Sequence, residues 1–213
     1  MFQIKNNSIL SVSTDGHRLV KYTRHGLNIN IDSDVIIPKK FLSLVSSNIS
    51  QAENINLYIN ENQVVVEVGN DVFYSRVIDE RFPDFESVIP KDNNKKLIIN
   101  RLEFLSTVKR VSVLSNKTTR QIALNLTKDN IKITTEDNEK SSKGFENISG
   151  SFTGEDLIIG YNAAYLKDIL SHLATDEVMI KLNSPISAGL FFPKEQLKDS
   201  DLTMLLMPIR LNN

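Results

Sequence analysis

Three histidines, His17, His25 and His172, are the only imidazoles in this chain of 213 residues, and one of them stands beside an acid. The stretch Thr14-Asp15-Gly16-His17-Arg18 could in principle hold a base and its orienting carboxylate, the beginnings of a hydrolytic site. Such a site needs a third group, and no motif in the chain supplies one. There is no Gly-x-Ser-x-Gly elbow and no glycine-rich phosphate loop. The histidines lack His-x-x-x-His spacing and cysteine is absent, so imidazole or thiolate metal ligands do not cluster. Asp15-Gly16 lies between two strand-like runs and is a strong hairpin signal, which gives the acid a structural task. The expectation is a binding protein without catalytic residues, metal or cofactor; a hydrolase using Asp15 and His17 is a competing reading.

The elements that would position these residues repeat. Val35-Ile36-Ile37 is followed by Phe41-Leu42, Leu97-Ile98-Ile99 by Phe104-Leu105, and Leu157-Ile158-Ile159 by Tyr165-Leu166. Each is an extended, β-branched run leading into an amphipathic helix, and the period is about sixty residues. Alternating apolar runs separated by Asn, Asp and Gly follow each helix and read as antiparallel strands: 55–59, 63–68 and 72–77; then 122–126, 131–135 and 145–152; then 178–182, 189–192 and 202–207. Residues 1–34 hold three strands, 2–5, 9–14 and 18–23, without an opening strand and helix. The fold class is therefore α+β, built of repeated strand-helix-three-strand units with antiparallel sheets. A boundary is expected at the polar stretch 91–96, an exposed link dividing the chain into domains at 1–90 and 91–213.

Hydrophobic residues at 40% and charged residues at 24% describe a globular chain. Residues 1–90 carry 8 Lys and Arg against 11 Asp and Glu, and residues 91–213 carry 17 against 15. Neither part is a basic arm, which argues against a stationary, tight nucleic-acid binder. The N-terminal sequence lacks a signal-peptide layout and no apolar run reaches membrane-spanning length, so the expectation is a cytoplasmic protein that does not engage membranes. The triplets Asn48-Ile49-Ser50 and Asn116-Lys117-Thr118 are then chance occurrences. In 101–114 the expected buried stripe is Leu102, Leu105, Val108 and Val111, with Ser106, Lys109 and Arg110 on another face and Lys117 just beyond. The third helix buries Leu166, Ile169 and Leu170 and shows Lys167 and His172; the first shows Lys39 and Lys40. Cations on all three equivalent helices suit phosphates met without base reading.

Three strings carry a resemblance: Thr14-Asp15-Gly16-His17-Arg18-Leu19; Phe82-Pro83-Asp84-Phe85 leading to Val88-Ile89-Pro90; and Met207-Pro208-Ile209-Arg210-Leu211. In order and spacing they resemble the bacterial sliding clamp family, the β subunit of DNA polymerase III. The resemblance spans essentially the whole chain and matches the later part of that family's middle domain and all of its last. It implies three domains of like fold, two subunits joined head to tail as a ring, sheets outside and helices lining a pore that slides on duplex DNA without reading its sequence. It also implies a groove for short peptides of the polymerase III α subunit, the clamp loader and other motif-bearing proteins. Carried over by motif, the groove comprises Thr14, Gly16, His17, Arg18 and Leu19, with Pro90 at the domain junction and Asn162 and Tyr165 near the rim. Ile186 and Ala188 contribute after Ser184-Pro185, and Leu205, Leu206, Met207, Pro208, Ile209, Arg210 and Leu211 close it. The DNA-facing residues are Lys39, Lys40, Ser106, Lys109, Arg110, Lys117 and Lys167.

Departures from the family pattern bear on function. The family's first domain and the opening strand and helix of its middle domain have no counterpart, so two copies of this chain are not expected to form the usual homodimer ring or to clamp DNA alone. Asn212 and Asn213 extend past the usual terminal Leu, and Ile209 replaces a common Met. An alternative reading is a truncated relative that binds partner peptides without encircling DNA.

Overall fold

A computed structural model of the protein describes residues 1–5, 7–29, 31–49 and 54–211. Asn212, Asn213 and the Ser50 of the Asn48-Ile49-Ser50 triplet lie outside the described residues. Strands β1 (Phe2–Lys5), β2 (Ser8–Thr14), β3 (Arg18–Arg24) and β4 (Ser33–Val35) precede helix α1 (Lys39–Asn48) and the meander β5 (Ile55–Ile59), β6 (Gln63–Val68) and β7 (Asp71–Arg76). Then come β8 (Lys95–Asn100), α2 (Arg101–Val111), β9 (Gln121–Leu126), β10 (Asn130–Asp137), β11 (Ser142–Ser149) and β12 (Ser151–Thr153). The chain ends with β13 (Leu157–Asn162), α3 (Ala163–His172), β14 (Glu177–Leu182), β15 (Gly189–Pro193) and β16 (Ser200–Leu206). The strand-helix-three-strand order recurs as expected. The residues before the three helices, Pro38, Asn100 and Asn162, stand 62 apart each time, a tighter period than the apolar runs suggest. No helix among the described residues is long and apolar enough to cross a membrane.

Contacts divide the chain into two compact units, Met1–Val12 with Thr23–Phe85, and Ser13–Tyr22 with Glu86–Asn213. In the first unit β1 pairs antiparallel with both β2 and β4, and β6 pairs with β5 and β7. Val35, Ile37, Phe41, Val45, Val64, Val66 and Val68 form its core. The alternation in β6 buries Val64, Val66 and Val68 and turns Gln63 and Glu67 away, as period-two patterning requires.

The second unit carries two antiparallel sheets. One runs β12-β8-β14-β15-β16 with β3 beside β16, and the other runs β11-β10-β9-β13. Helix α2 packs on α3, β10 and β11, and α3 also packs on β13 and β16. The opening strand of each repeat sits in the other repeat's sheet: β8 pairs with β14 and β13 pairs with β9. The two repeats therefore share one continuous core that includes Leu97, Ile99, Phe104, Val108, Ile122, Leu166 and Phe191.

The structure departs from three expectations. Leu102 is 54% exposed, whereas Phe104 is fully buried and heads a stripe with Leu105, Thr107, Val108 and Val111. At 100° per residue Leu102 falls opposite Phe104 and Val108, on the solvent side. The run 145–152 is two strands, not one: β11 pairs with β10, and after Gly150 the chain passes to the other sheet as β12 against β8. A Cβ at Gly150 would meet Ile131 at 3.0 Å and Leu97 at 3.2 Å, so only glycine crosses there without a shift. The stretch 91–96 is not a free link. Asn93 Nδ2 donates to the carbonyls of Lys181 (3.0 Å) and Ala188 (2.9 Å), Asn183 Nδ2 donates to Asp92 Oδ2 (2.9 Å), and Lys95 and Lys96 already belong to β8.

Truncating Phe104 to Ala should lower stability by about 3–5 kcal/mol, because a fully buried aromatic leaves a cavity between two sheets and two helices. Leu102→Ala should fall within about 0.5 kcal/mol of the parent. Urea unfolding of the two variants checks the assignment; equal losses would restore Leu102 to the core.

Candidate functional site

The Thr14–Leu19 segment is the tip of the β2–β3 hairpin and belongs with the second unit. Its turn is held by side chains. Asp15 Oδ1 accepts from the backbone N–H groups of His17 and Arg18, each at 3.0 Å, and Thr14 Oγ1 donates to the Arg18 carbonyl (2.8 Å) and accepts from Gly16 N–H (3.1 Å). Gly16 adopts a φ of +85°, the left-handed region that glycine enters without penalty. The Asp15 carboxylate is thus committed to the turn, and its second oxygen accepts from Arg18 Nε at 2.9 Å. Partial burial pushes the Asp15 carboxyl up, but the Arg18 side chain and the two amides outweigh it and hold Asp15 below the usual aspartate range. Partial burial likewise pulls Arg18 down, and Asp15 and Asp168 more than reverse it, raising the guanidinium further.

Helix α3 supplies the opposite side. Asn162 caps it, its Oδ1 accepting from the N–H of Ala164 (2.9 Å) and Tyr165 (3.4 Å). From that start, Tyr165, Asp168 and His172 recur at i, i+3 and i+7 and share one face. The His17 ring stacks on Tyr165, with ring centres 5.8 Å apart and planes 22° apart, and the Arg18 guanidinium carbon lies 4.7 Å from the same ring centre. Arg18 also forms an ion pair with Asp168, and His172 Nδ1 sits 2.8 Å from the Asp168 carbonyl. An arginine held by two carboxylates against an aromatic face is fixed in orientation rather than free to sweep solvent. Asp15 and His17 do not converge as an acid–base pair: the carboxylate serves amides and Arg18, and the imidazole serves Tyr165.

The C-terminal strand completes the cluster. Strand β16 lies between β15 and β3, and its last rung pairs Leu206 with Gly189. Met207 N–H then donates to the His17 carbonyl at 2.9 Å. One step along the antiparallel ladder from Gly189 is Ala188, so Met207 emerges between the Ala188 end of β15 and the His17 end of β3. Beyond it the tail leaves β16 and meets β13, where Ile209 N–H donates to the Gly160 carbonyl at 2.8 Å. A Cβ on Gly160 would stand 2.6 Å from the Ile209 carbonyl oxygen and 2.7 Å from Leu211 Cδ2, so this glycine lets the tail lie flat on the strand.

The expected groove residues separate by exposure. Met207 is 43% exposed and Ile186 65% exposed, with Pro90, Tyr165, Pro208, Ile209 and Leu211 half-buried and Arg210 exposed. Leu19, Leu205, Leu206 and Ala188 are buried and can only support a surface from below. Ile186 is presented by a compact Ser184–Ser187 loop, in which Ser184 N–H and Ser187 N–H each bond the other serine's hydroxyl (2.9 and 3.2 Å). Pro90 stands three residues before Asn93, whose amide holds the Ala188 carbonyl. Asp168 was not among the expected residues, although its i+3 spacing from Tyr165 on a predicted helix was a legible signal.

Among the expected cations, Lys39 and Lys40 are exposed at the start of α1 in the first unit. In the second, Ser106, Lys109 and Arg110 are exposed on α2. Arg110 is engaged by Glu146 through Nε (2.9 Å) and Nη2 (2.7 Å), so its charge is already matched. Lys117 and Lys167 line one cavity beside the start of α3. Among the described residues no three His, Asp or Glu side chains gather as a metal site.

Residues 86–210 match the family model described as DNA polymerase III beta subunit, C-terminal domain, and residues 1–84 match that of its central domain. The beta sliding clamp of Haemophilus influenzae is 34% identical over 99% of this chain, and that of Vibrio cholerae 31% identical over 99%. The crystal structure of the DNA polymerase sliding clamp from Bacillus subtilis superposes with a TM-score of 0.92 at 26% identity, covering 99% of this chain and 56% of that one. The chain spans 57% of the length of the two curated relatives. With one family model covering more than half of its residues and a second covering most of the rest, the chain belongs to the DNA polymerase III β-subunit family.

Proposed function

We propose that this chain is the C-terminal portion of a DNA sliding clamp, a cytoplasmic, non-enzymatic processivity factor that helps encircle duplex DNA. Residues 1–90 would be part of a middle clamp domain and 91–213 a last domain. In this role the cluster around His17, Tyr165 and Met207 receives short linear peptides from the polymerase III α subunit, the clamp loader and other motif-bearing proteins. The observation that carries the reading is the convergence of three sequence-distant segments: the 14–18 turn, from residues matched to the family's central domain, and the start of α3 and the 207–211 tail, from residues matched to its C-terminal domain. The chemistry agrees with that use. Met207 and Ile186 offer adaptable apolar surface, while Arg18 and the exposed turn offer fixed polar contacts. Exposed Lys39, Lys40, Ser106, Lys109 and Lys117 suit loose, non-specific contact with phosphates. The pairing of Arg110 with Glu146 favours, at that position, the second reading: a relative that binds partner peptides without encircling DNA.

A fluorescent peptide of the Gln-Leu-x-Leu-Phe type, titrated against the full chain, should bind saturably with a dissociation constant of order micromolar. His17→Ala should weaken it by about tenfold, and deletion of residues 207–213 should abolish it, with circular dichroism as the folding control. Undiminished binding by the truncated chain would remove the peptide site from this face.

The depressed Asp15 carboxyl gives a pH test independent of any partner. A carboxyl whose folded value lies below its unfolded one stabilises the turn above the ordinary aspartate range, and that contribution is lost as pH falls through the lowered value. The amide signals of His17 and Arg18, which donate to Asp15, should therefore titrate with a midpoint below about 3.9. A midpoint at or above that value would mean that Asp15 does not hold the turn.

A further inference from the structure

On the side of α3 away from the Tyr165 face, a cavity of about 250 Å³ opens between the 3-10 turn Ser112–Leu114, the loop 115–120 and the first turn of the helix. Three cations line it, Lys117, Arg120 and Lys167, and no acidic side chain does. Elsewhere in the second unit Arg18, Arg110 and Lys194 each meet a carboxylate; for Lys117, Arg120 and Lys167 no ion pair is found among the described residues. Three like charges facing one concave space repel one another unless an anion sits among them.

The backbone around the cavity is built to hold that arrangement. Arg120 has a φ of +51°, in the left-handed region that side-chain-bearing residues seldom enter. It is kept there from both ends: its N–H donates to the Asn116 carbonyl (2.8 Å) and its carbonyl accepts from Ala163 N–H (2.8 Å). Asn162 Nδ2 ties the same loop to the helix through the Thr119 carbonyl at 3.3 Å. Lys167 Nζ donates to Ser112 Oγ at 3.3 Å; that hydroxyl donates its own proton to the Lys109 carbonyl at 3.0 Å, so it must accept from the lysine. Asp137, bonded to Asn116 Nδ2 at 3.3 Å, is buried behind the loop rather than turned to the cavity.

We infer that this cavity is a receptor for a phosphate group carrying two or more negative charges, either pyrophosphate free in solution or the terminal phosphate of a nucleic-acid end. A backbone phosphodiester brings a single charge and leaves two cations unmatched. A terminal phosphate or pyrophosphate matches more of them, with the Arg120 fork taking two oxygens and the lysines acting as point charges. The inference goes beyond the clamp reading and stands apart from the peptide face, so each can fail alone.

The test is a nitrogen-15 NMR titration of the full chain with pyrophosphate, following the amides of Ser115, Arg120, Ala163 and Ala164. The expected result is saturable movement of those signals, weakened at least about tenfold in Lys117→Ala/Arg120→Ala and changed less than about twofold in Lys96→Ala/Lys128→Ala, which removes as much charge elsewhere. The dispersed nitrogen-15 spectra of the same samples show that each variant is folded, whether or not it binds peptide. Absence of saturation, or equal weakening in both double variants, would overturn the proposal. A hairpin duplex with a 5′-phosphate and its unphosphorylated twin separate the sources as competitors. Displacement by the phosphorylated form alone assigns the site to a nucleic-acid end, and displacement by neither assigns it to the free anion. Equal displacement by both would overturn the requirement for a multiply charged phosphate.

Discussion

The amide side chain of Asn162 ties two surfaces of the second unit to one helix start. Its oxygen accepts from the second and third N–H groups of α3, which fixes where the helix begins. Its nitrogen donates to the Thr119 carbonyl, which fixes the preceding repeat's loop against that start. Helical spacing then leaves no freedom: Tyr165, Asp168 and His172 must face the β2–β3 turn, and Ala163, Ala164 and Lys167 must face the 112–120 segment. A start one residue later would rotate both faces by about 100° and dissolve the His17–Tyr165 stack and the Lys167–Ser112 contact together.

The polar contacts at the site are better understood as positioning than as stability. Arg18 and its carboxylates keep about a third to a half of their side-chain surface in water, where ion pairs contribute about 0–1 kcal/mol. What they achieve is geometric: one guanidinium is held over an aromatic ring by a turn acid beside it and by a helix acid 150 residues away in sequence. The stability that makes such positioning possible comes from beneath. Leu19, Leu205 and Leu206 have almost no accessible surface, and they anchor β3 and β16 side by side so that Met207 and His17 emerge in register.

The repeat, the α+β class and nearly every strand were legible in the sequence because each rests on short-range periodicity and on turn residues such as Asp15-Gly16. The motif residues of the candidate groove were legible through resemblance, not through chemistry. What escaped depended on partners distant in sequence. Leu102 fits a helical spacing with Leu105, and only the packing of α2 on α3, β10 and β11 selects Phe104 in its place. The exchange at Gly150 is invisible to alternation, because the pattern continues while the sheet changes. Asp168 and Glu146 are surface acids by type. Their roles as partners of Arg18 and Arg110 follow from contacts 150 and 36 residues away.

The interlocking of repeats explains how one short helix can serve two unlike surfaces. Because β8 lies in the second repeat's sheet and β13 in the first's, neither half of the second unit can open without breaking a ladder that belongs to the other. The core is correspondingly shared, so cooperative loss of both halves is the natural unfolding event. The start of α3 lies at the end of β13, the strand that crosses between halves, and inherits contacts from both. The first repeat contributes the 112–120 segment on one side; the second contributes β16 and its tail on the other. A helix placed at such an exchange point is braced by contacts from both repeats, and fixed geometry is what a narrow aromatic stack and a crowded cationic cavity both demand.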